Sequence, residues 1–442
     1  MGRVGKRLSS FQIIILGFAA VILSGALFLM LPGASRDGSC APFGDALFTS
    51  VSAVCVTGLV VRDTARSWSM FGQCVILFLI QIGGLGVVTA AVALSKARGE
   101  RLSLKQRSTM QEAISAQRLG GLGSMTGLIL RVTLLSELLG AFCMAPVFCR
   151  RFGMEKGMFY ALFHAVSAFC NAGFDLMGEA APYSSLTDFP AEPLICIPVM
   201  LLIITGGIGF ATWDDVRQHR GKLQRYQMQT RVILFVTGLL ILVPALYFYF
   251  FEFHETAGAA RVLGALFQSV TPRTAGFNTL DLTGLSENGR LLMIFLMLTG
   301  GAPGSTAGGI KVTTLAVLIA SESSVFRRRA HPRMFGRRIS DETVRTAAAV
   351  LVMYLFLFLT GGCLISGIEG LPLLTCLFET ASAVGTVGLT LGITPELGCI
   401  SRGILIILMF VGRVGGLTIL WSAIPGKGGI PSRLPEGKIA IG

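Results

Sequence analysis

Charge is scarce in this sequence: Asp, Glu, Lys and Arg make up 14% of its 442 residues, against about 25% in a soluble chain. That shortage excludes a soluble globular enzyme, and a hydrophobic content of 52% excludes a disordered chain. Proline is limited to 16 residues, and the 55 glycines follow no G-X-Y period, so collagen-like and linker readings fail. The four histidines, His164, His219, His254 and His331, are scattered without metal-ligand spacing. None of the ten cysteines forms a CxxC pair, so no metal site or catalytic base is indicated. No nucleophile–base constellation appears either. Cys74, Cys143, Cys196 and Cys363 lie inside apolar runs, which predicts small buried thiols. Cys40 and Cys399 lie outside them, and a bridge between those two is left open.

What the chain has in quantity is long apolar sequence. Eight runs reach the ~20 residues needed to cross a ~30 Å bilayer core, at 11–31, 70–94, 122–149, 193–213, 230–251, 291–320, 345–368 and 402–424. The first follows Arg3, Lys6 and Arg7, and is read as a retained span rather than a signal peptide. Within each successive pair of runs sits a shorter apolar stretch closed by glycine: FGDALFTSVSAVCVTGL (43–59), MFYALFHAVSAFCNAGF (158–174), RVLGALFQSVTPRTAGF (261–277) and PLLTCLFETASAVGTVGL (372–389). Each is too short to span, which predicts a re-entrant half-helix. A second glycine signature recurs in the following run: QIGGLGVVT, TGGIGFAT, TGGAPGSTAGGIKVTT and VGRVGGLTIL. The recurrence predicts an all-α polytopic membrane protein of four tandem span–half-helix–span repeats around a central pore, with eight transmembrane helices and four half-helices.

The units are 1–95, 122–213, 230–320 and 345–424, the third with a broken second span and a gating loop. They are separated by segments 96–121, 214–229 and 321–344 and followed by a tail, 425–442. Segments 1–12, 96–121, 214–231, 321–345 and 425–442 hold 24 of the 37 basic residues and 8 of the 24 acidic ones. The positive-inside bias therefore puts them, with both termini, in the cytoplasm, and the glycine loops open outward. The net charge of +13 is thus accounted for by topology, without nucleic acid as a partner.

Four half-helices on one axis bring four irregular loops together at membrane depth, where such backbone is tolerated only if buried in protein or lining a water-filled cavity. Carbonyl oxygens there can replace the hydration shell of a monovalent cation. The candidate ion-binding residues are Val56, Thr57 and Gly58; Asn171, Ala172 and Gly173; Thr274, Ala275 and Gly276; and Thr386, Val387 and Gly388. None is acidic, which argues against a divalent-cation pore. One glycine per repeat predicts one strong ion site rather than a row of them.

CVTGL, CNAGF, RTAGFN and GTVGL resemble the four selectivity-filter segments of the Trk/Ktr/HKT superfamily of potassium transporters. GAPGSTAGGIK is similar to its intramembrane gating loop, and GRVGGLT to the segment that places an arginine in the pore. The resemblance runs from the first span to Gly416 and is closest to KtrB-type membrane subunits, because the first repeat begins by residue 11. It implies potassium uptake across the cell membrane, sodium as an activating ion, and no organic cofactor. The implied partners, besides the bilayer, are a second copy in a homodimer and a cytoplasmic nucleotide-binding RCK ring of the KtrA type. Pro303 departs from the family pattern, standing where a small residue such as Ser is expected.

The gating candidates are Gly300, Gly301, Ala302, Pro303, Gly304, Ser305, Thr306, Ala307, Gly308, Gly309, Lys311 and Arg413. The loop breaks its span, as a packing kink or as a gate under the filter. Its superficial likeness to a phosphate loop fails, because the G-x-x-x-x-G-K-[ST] spacing is not met. Arg413 lies mid-span, where a charge costs at least ~2.5–3.5 kcal/mol, and so faces a cavity or a partner. Glu379 and Asp45 are expected to cap helices or bond between them, and Glu137 to be a buried polar partner. A sodium-permeable or poorly selective pore of the same fold is the near alternative. A proton- or sodium-coupled secondary transporter is the far one, and it would need a carboxylate on the pathway.

Overall fold

The computed structural model describes residues 9–98, 104–113, 122–179, 181–256, 258–416 and 418. Four times, a long or bent helix precedes a shorter buried helix, and a broken second helix comes after it. The first group is α1 (Ser10–Leu29), α2 (Phe43–Val54), the single turn α3 (Thr64–Ser67), α4 (Met70–Leu85) and α5 (Val87–Ala97). After α6 (Leu104–Ala113) come α7 (Leu122–Phe152), α8 (Met154–Phe169), α9 (Pro193–Gly207) and α10 (Phe210–His219). The third group is α11 (Met228–Tyr247), α12 (Gly258–Val270), α13 (Glu287–Leu298) and α14 (Val312–Phe326). A hairpin of β1 (Arg333–Met334) and β2 (Arg337–Arg338) then leads to α15 (Asp341–Glu369), α16 (Leu373–Gly385) and α17 (Cys399–Val414).

Local chemistry sets the boundaries. Ser9 and Gln12 form a reciprocal capping box at the start of α1. Ser340 caps α15, with Asp341 and Glu342 in the first turn, where carboxylates suit the exposed N–H groups. Glu252 and Glu369 perform one task in the third and fourth groups. Each ties the end of a first helix to the start of the second, Glu252 through the Ser286 amide at 3.1 Å and Glu369 through the Gly398 amide at 2.9 Å. The second helices break at left-handed glycines: Gly86 between α4 and α5, which bend by 95°, and Gly209 between α9 and α10, which bend by 92°.

By length and composition, α1, α7, α11 and α15 can each cross a membrane, and the two bent pairs can do so as pairs. The other two of the eight apolar runs behave differently. Run 291–320 is divided between α13 and α14 by the stretch 299–311. Run 402–424 is helical as α17 to Val414, and its residues 417 and 419–424 lie outside the described ones. Helix length alone therefore accounts for up to six crossings among the described residues. The faces turned outward suit lipid: on α7, Leu134, Leu135, Leu138, Leu139 and Phe142 are all exposed, Phe142 at 78%. In water such a face would be an aggregation patch. In a bilayer it is the proper surface, and the protein is an all-α membrane protein.

The short helices α2, α8, α12 and α16 are inside. Each group's second helix packs on the short helix of the next: α4 on α8, α9 on α12, α13 on α16, and α17 back on α2. The four groups thus form a closed ring. Its last seam is fastened by Asp45 of α2, which pairs with Arg402 of α17 at 3.1 Å and with Arg62 at 2.7 Å. Asp45→Asn removes one charge from a pair of arginines that are both partly solvated. It should destabilise the detergent-solubilised protein by about 1 kcal/mol, read as a small fall in thermal unfolding midpoint that high salt reproduces in the parent protein.

Candidate functional site

The four candidate loops leave the C-terminal ends of α2, α8, α12 and α16 and meet at the middle of the ring. A Cβ added at Gly58 would stand 2.4 Å from the Ala172 carbonyl oxygen, and one at Gly173 would stand 2.4 Å from that of Ala275. At Gly276 the figure is 2.2 Å to Val387, and at Gly388 it is 2.1 Å to Thr57, which closes the circuit. Each glycine therefore abuts the residue that precedes the next glycine, and no side chain fits between. All four have positive φ, from 67° to 92°.

Two residues before each glycine, the backbone is left-handed again: Val56 (φ 50°), Asn171 (57°), Thr274 (75°) and Thr386 (52°). Thr57, Ala172, Ala275 and Val387, between them, are not among the positive-φ residues. Three of the four strained residues are β-branched, for which this region is a true outlier. Each such residue costs about 1–3 kcal/mol and persists only where its surroundings over-determine it. Alternating φ of this kind turns successive carbonyls toward one side.

The loop amides are tied back to the helices. Those of Thr57, Ala172 and Val387 donate at 2.8 Å to the carbonyls of Ser52, Ser167 and Ser382. The Ala275 amide reaches Thr271 at 2.9 Å. The hydroxyls of Ser52 and Ser382 accept the Gly58 and Gly388 amides at 3.0 Å. Those of Ser167 and Thr271 instead donate at 2.7 Å to the carbonyls of Phe174 and Phe277. Asn171 and Thr274 join the second loop to the third by a side-chain bond of 3.0 Å. By contrast, among the described residues, no carbonyl at 56–58, 171–173, 274–276 or 386–388 accepts a hydrogen bond. All these residues are buried. Buried carbonyls without a donor are rare in proteins and call for an explanation.

Beneath the loops lies the stretch 299–311. It is anchored to the second group, with Ala302 N donating to Gly207 O at 2.9 Å and Phe210 N to Gly304 O at 2.9 Å. The Thr306 hydroxyl reaches the Phe169 carbonyl, at the end of α8, at 3.1 Å. Lys311 folds back on its own loop, donating to Ala307 O at 2.7 Å and Gly308 O at 3.1 Å. Arg413 of α17 donates to the Thr306 carbonyl and to Gly83, and reaches Gly84 at 3.1 Å. A cavity of 300 Å³ lies against the loop, with Lys311 and Arg413 on its wall.

The remaining sequence candidates are dispersed. Asp45 bonds between helices, as described. Glu379 neither caps a helix nor bridges two, because it lies in the middle of α16 and faces the chain returning from its own loop. It accepts from the hydroxyls of Thr390 and, at 2.8 Å, Thr394, and from the Leu391 amide at 3.2 Å. Glu137 is buried on α7. Cys40 and Cys399 are exposed and unbridged. Of the four cysteines expected to be buried Cys196 is, Cys143 is half-buried, and Cys74 and Cys363 are exposed, because an apolar helix face turned to lipid needs no burial. Sequence reasoning missed the loop-holding hydroxyls, and it found Gly83, Gly206 and Gly412 only as members of the second glycine signature, without their packing role. A Cβ at these three would stand 2.1, 2.0 and 2.2 Å from the carbonyls of Val54, Phe169 and Val384. Superposing the four repeats residue by residue finds both sets, since SVSAV, AVSAF and TASAV align.

The sequence profile of the TrkH family, described as cation transport protein, matches residues 7–426. The potassium/sodium uptake protein NtpJ of Enterococcus hirae is 37% identical over 451 residues, covering 100% of this chain and 99% of that protein. The Ktr system potassium uptake protein B of Bacillus subtilis is 37% identical over 440 residues, covering 98% of this chain and 96% of that protein. The crystal structure of the potassium transporter TrkH from Vibrio parahaemolyticus matches with a TM-score of 0.73 at 22% identity, over 96% of this chain and 87% of that one. That likeness shows the fold.

Gly206→Ala places its Cβ 2.0 Å from the Phe169 carbonyl and 2.7 Å from the Thr306 hydroxyl. Overpacking of this kind should cost about 1–3 kcal/mol, measured as a lowered unfolding midpoint. Gly403→Ala, with open space around it, should leave the midpoint level or raise it slightly.

Proposed function

The chain belongs to the TrkH family of cation transport proteins, close to the Ktr potassium-uptake proteins, and we propose that it conducts potassium into the cell through the ring of glycine loops. It is a transporter rather than an enzyme. The observation that carries the reading is the set of buried loop carbonyls with no donor among the described residues, at positions 56–58, 171–173, 274–276 and 386–388, none of which is a carboxylate. Neutral oxygens held by strained backbone can replace the water of a monovalent cation without binding it too tightly to leave. The half-helix C-termini add partial negative charge without the fixed charge that would favour divalent ions. The substrate potassium is coordinated at residues 56–58, 171–173, 274–276 and 386–388. Sodium acts as an activating ion, and no organic cofactor is required on this chain.

In this reading the four units are 1–95, 122–213, 230–320 and 345–424. They make eight crossings and four re-entrant half-helices, in which the 291–320 and 402–424 runs cross as broken or short helices. Basic segments and both termini are cytoplasmic, and the protein works in the cell membrane as a homodimer. A KtrA-like RCK ring docks on the cytoplasmic face. The stretch 300–309, Lys311 and Arg413 form the gate. Arg413 donates to a loop carbonyl, and its charge raises the barrier for a cation at the narrow point.

Two measurements test this. Gly58→Ser puts a side chain where its Cβ meets the Ala172 carbonyl at 2.4 Å, so in proteoliposomes loaded for labelled-potassium uptake its discrimination against sodium should fall. Unchanged selectivity in well-folded material assigns the filter elsewhere. Arg413→Ala should raise flux per folded protein: losing about 1.4 kcal/mol of barrier is roughly tenfold in rate. A decrease in well-folded protein would make Arg413 a structural tie and reject the gate.

A further inference from the structure

At the end of the ring that carries the basic segments, a shallow groove of 340 Å³ is lined by Leu223, Gln224, Arg231, Leu234, Phe235 and Phe335. Five of the six are uncharged and mostly apolar, and the charged one is not neutralised. Arg231, in the first turn of α11, donates through Nη2 to the Gln224 carbonyl, while its Nε is buried without a partner. One turn further along α11, Phe235 is 63% exposed on the lipid-facing side. A charge and an apolar face one turn apart at the start of a membrane helix mark the boundary between headgroups and acyl chains.

The far wall is the hairpin of β1 and β2. Its two-residue turn, Phe335–Gly336, has φ of 47° and 77°, a turn that favours Asn-Gly and penalises a bulky first residue. Phe335 nevertheless occupies it, exposed, with its ring set edge-on to Phe235 at 6.4 Å. The hairpin and its flanks carry Arg327, Arg328, Arg329, Arg333, Arg337, Arg338 and Arg345, all exposed. Among the described residues only Arg338 has an ion pair, with Asp341 at 3.5 Å. Glu322 and Glu342 are the other carboxylates nearby in sequence, and among the described residues neither forms an ion pair.

We propose that this groove is a binding site for one anionic phospholipid, the acyl chain lying along Leu234, Phe235 and Phe335 and the phosphodiester meeting Arg231 and the hairpin arginines. Charge complementarity selects the headgroup, since Arg231 lines the groove, the hairpin that supplies Phe335 carries Arg333 and Arg337 with no ion pair among the described residues, and no carboxylate lines the groove. The apolar wall selects a lipid over a free phosphate or an acidic protein surface. The leaflet follows from the proposed orientation, whereas the chemistry of the site does not depend on it.

The test is native mass spectrometry of the full-length protein released from nanodiscs of dioleoyl-phosphatidylglycerol mixed with dioleoyl-phosphatidylcholine. The parent protein should retain phosphatidylglycerol preferentially. Arg231→Gln, and the double variant Arg333→Gln with Arg337→Gln, should cut its retention by about fivefold per arginine and leave phosphatidylcholine unaffected. Phe335→Ala should weaken retention of both lipids. Equal retention of the two lipids by the parent, or unchanged phosphatidylglycerol in all variants, overturns the proposal. Loss of RCK-ring binding with phosphatidylglycerol retention intact overturns it as well, and makes the hairpin a protein-docking element. If Arg231→Gln does not yield monodisperse protein, the hairpin double variant, on an exposed turn, decides alone.

Discussion

Four backbone loops meeting with no side chain between them is the constraint on which the rest of this fold depends. Each glycine is packed against the carbonyl of the loop beside it, so the position of any one loop is set by the other three. Contact this close could be relieved by small outward shifts, and the surrounding structure prevents them. Hydroxyls on the short helices hold the loop amides, second helices press on the ends of the next group's short helices, and the Asp45–Arg402 pair fastens the last seam. The left-handed residues at 56, 171, 274 and 386 then sit in a conformation they would leave at once in isolation. Rigidity of the ring and strain in its loops have one origin.

The same packing accounts for Arg413. Aligning the glycine signatures sets Gly83, Gly206 and Gly412 in one column and Gly84, Gly207 and Arg413 in the next. A Cβ at Gly84 would meet the Cys170 side chain at 2.5 Å, and one at Gly207 would meet the Asn171 amide at 3.5 Å. That column therefore points toward the ends of the short helices, under the loops. A long cationic side chain placed there in one group alone reaches across to carbonyls of two other groups, Gly83 and Thr306. Its reach is a consequence of position in the repeat rather than of a separate device.

Much of this was legible in the sequence. The spacing of Gly58, Gly173, Gly276 and Gly388 marks the ring, because only glycine permits the contact and so each repeat must keep it. The apolar runs give the membrane helices for the same reason of few alternatives. Less visible was the conformation two residues earlier. No side-chain group is common to all of Val56, Asn171, Thr274 and Thr386, and the three β-branched ones disfavour this region, so the strained φ is imposed by the surroundings rather than by the residue. The glycines and Pro303 of run 291–320 already predict a break in that span, but not the backbone bonds to Gly206 and Gly207 that take the place of helical ones in its irregular middle. Glu379 reads from the sequence as a helix cap or an interhelical bond, whereas its partners lie 11 to 15 residues later in the chain returning from its own loop, a pairing that no local pattern marks.

The ring is least held in the third group. Thr49, His164, Gln268 and Glu379 stand at one position on the four short helices, each just after a buried phenylalanine. Thr49 bonds back to the Asp45 carbonyl at 2.8 Å, within its own helix. His164 and Glu379 do more, accepting the amide three residues beyond the loop glycine, Leu176 at 3.4 Å and Leu391 at 3.2 Å. Gln268 is fully buried, and among the described residues neither its oxygen nor its nitrogen has a partner. An unsatisfied buried amide costs about 1–3 kcal/mol, so the third group gives up stabilisation that the second and fourth obtain at the same place. It also lacks the glycine contact of the other three, because Gly300 packs on Gly308 of its own loop instead of on the end of its short helix. Both missing restraints fall in the group that contains 299–311. A ring that is fixed on three sides and less restrained on the fourth confines any rearrangement to that fourth side, so one loop can change its contacts while the glycine circuit above it is kept.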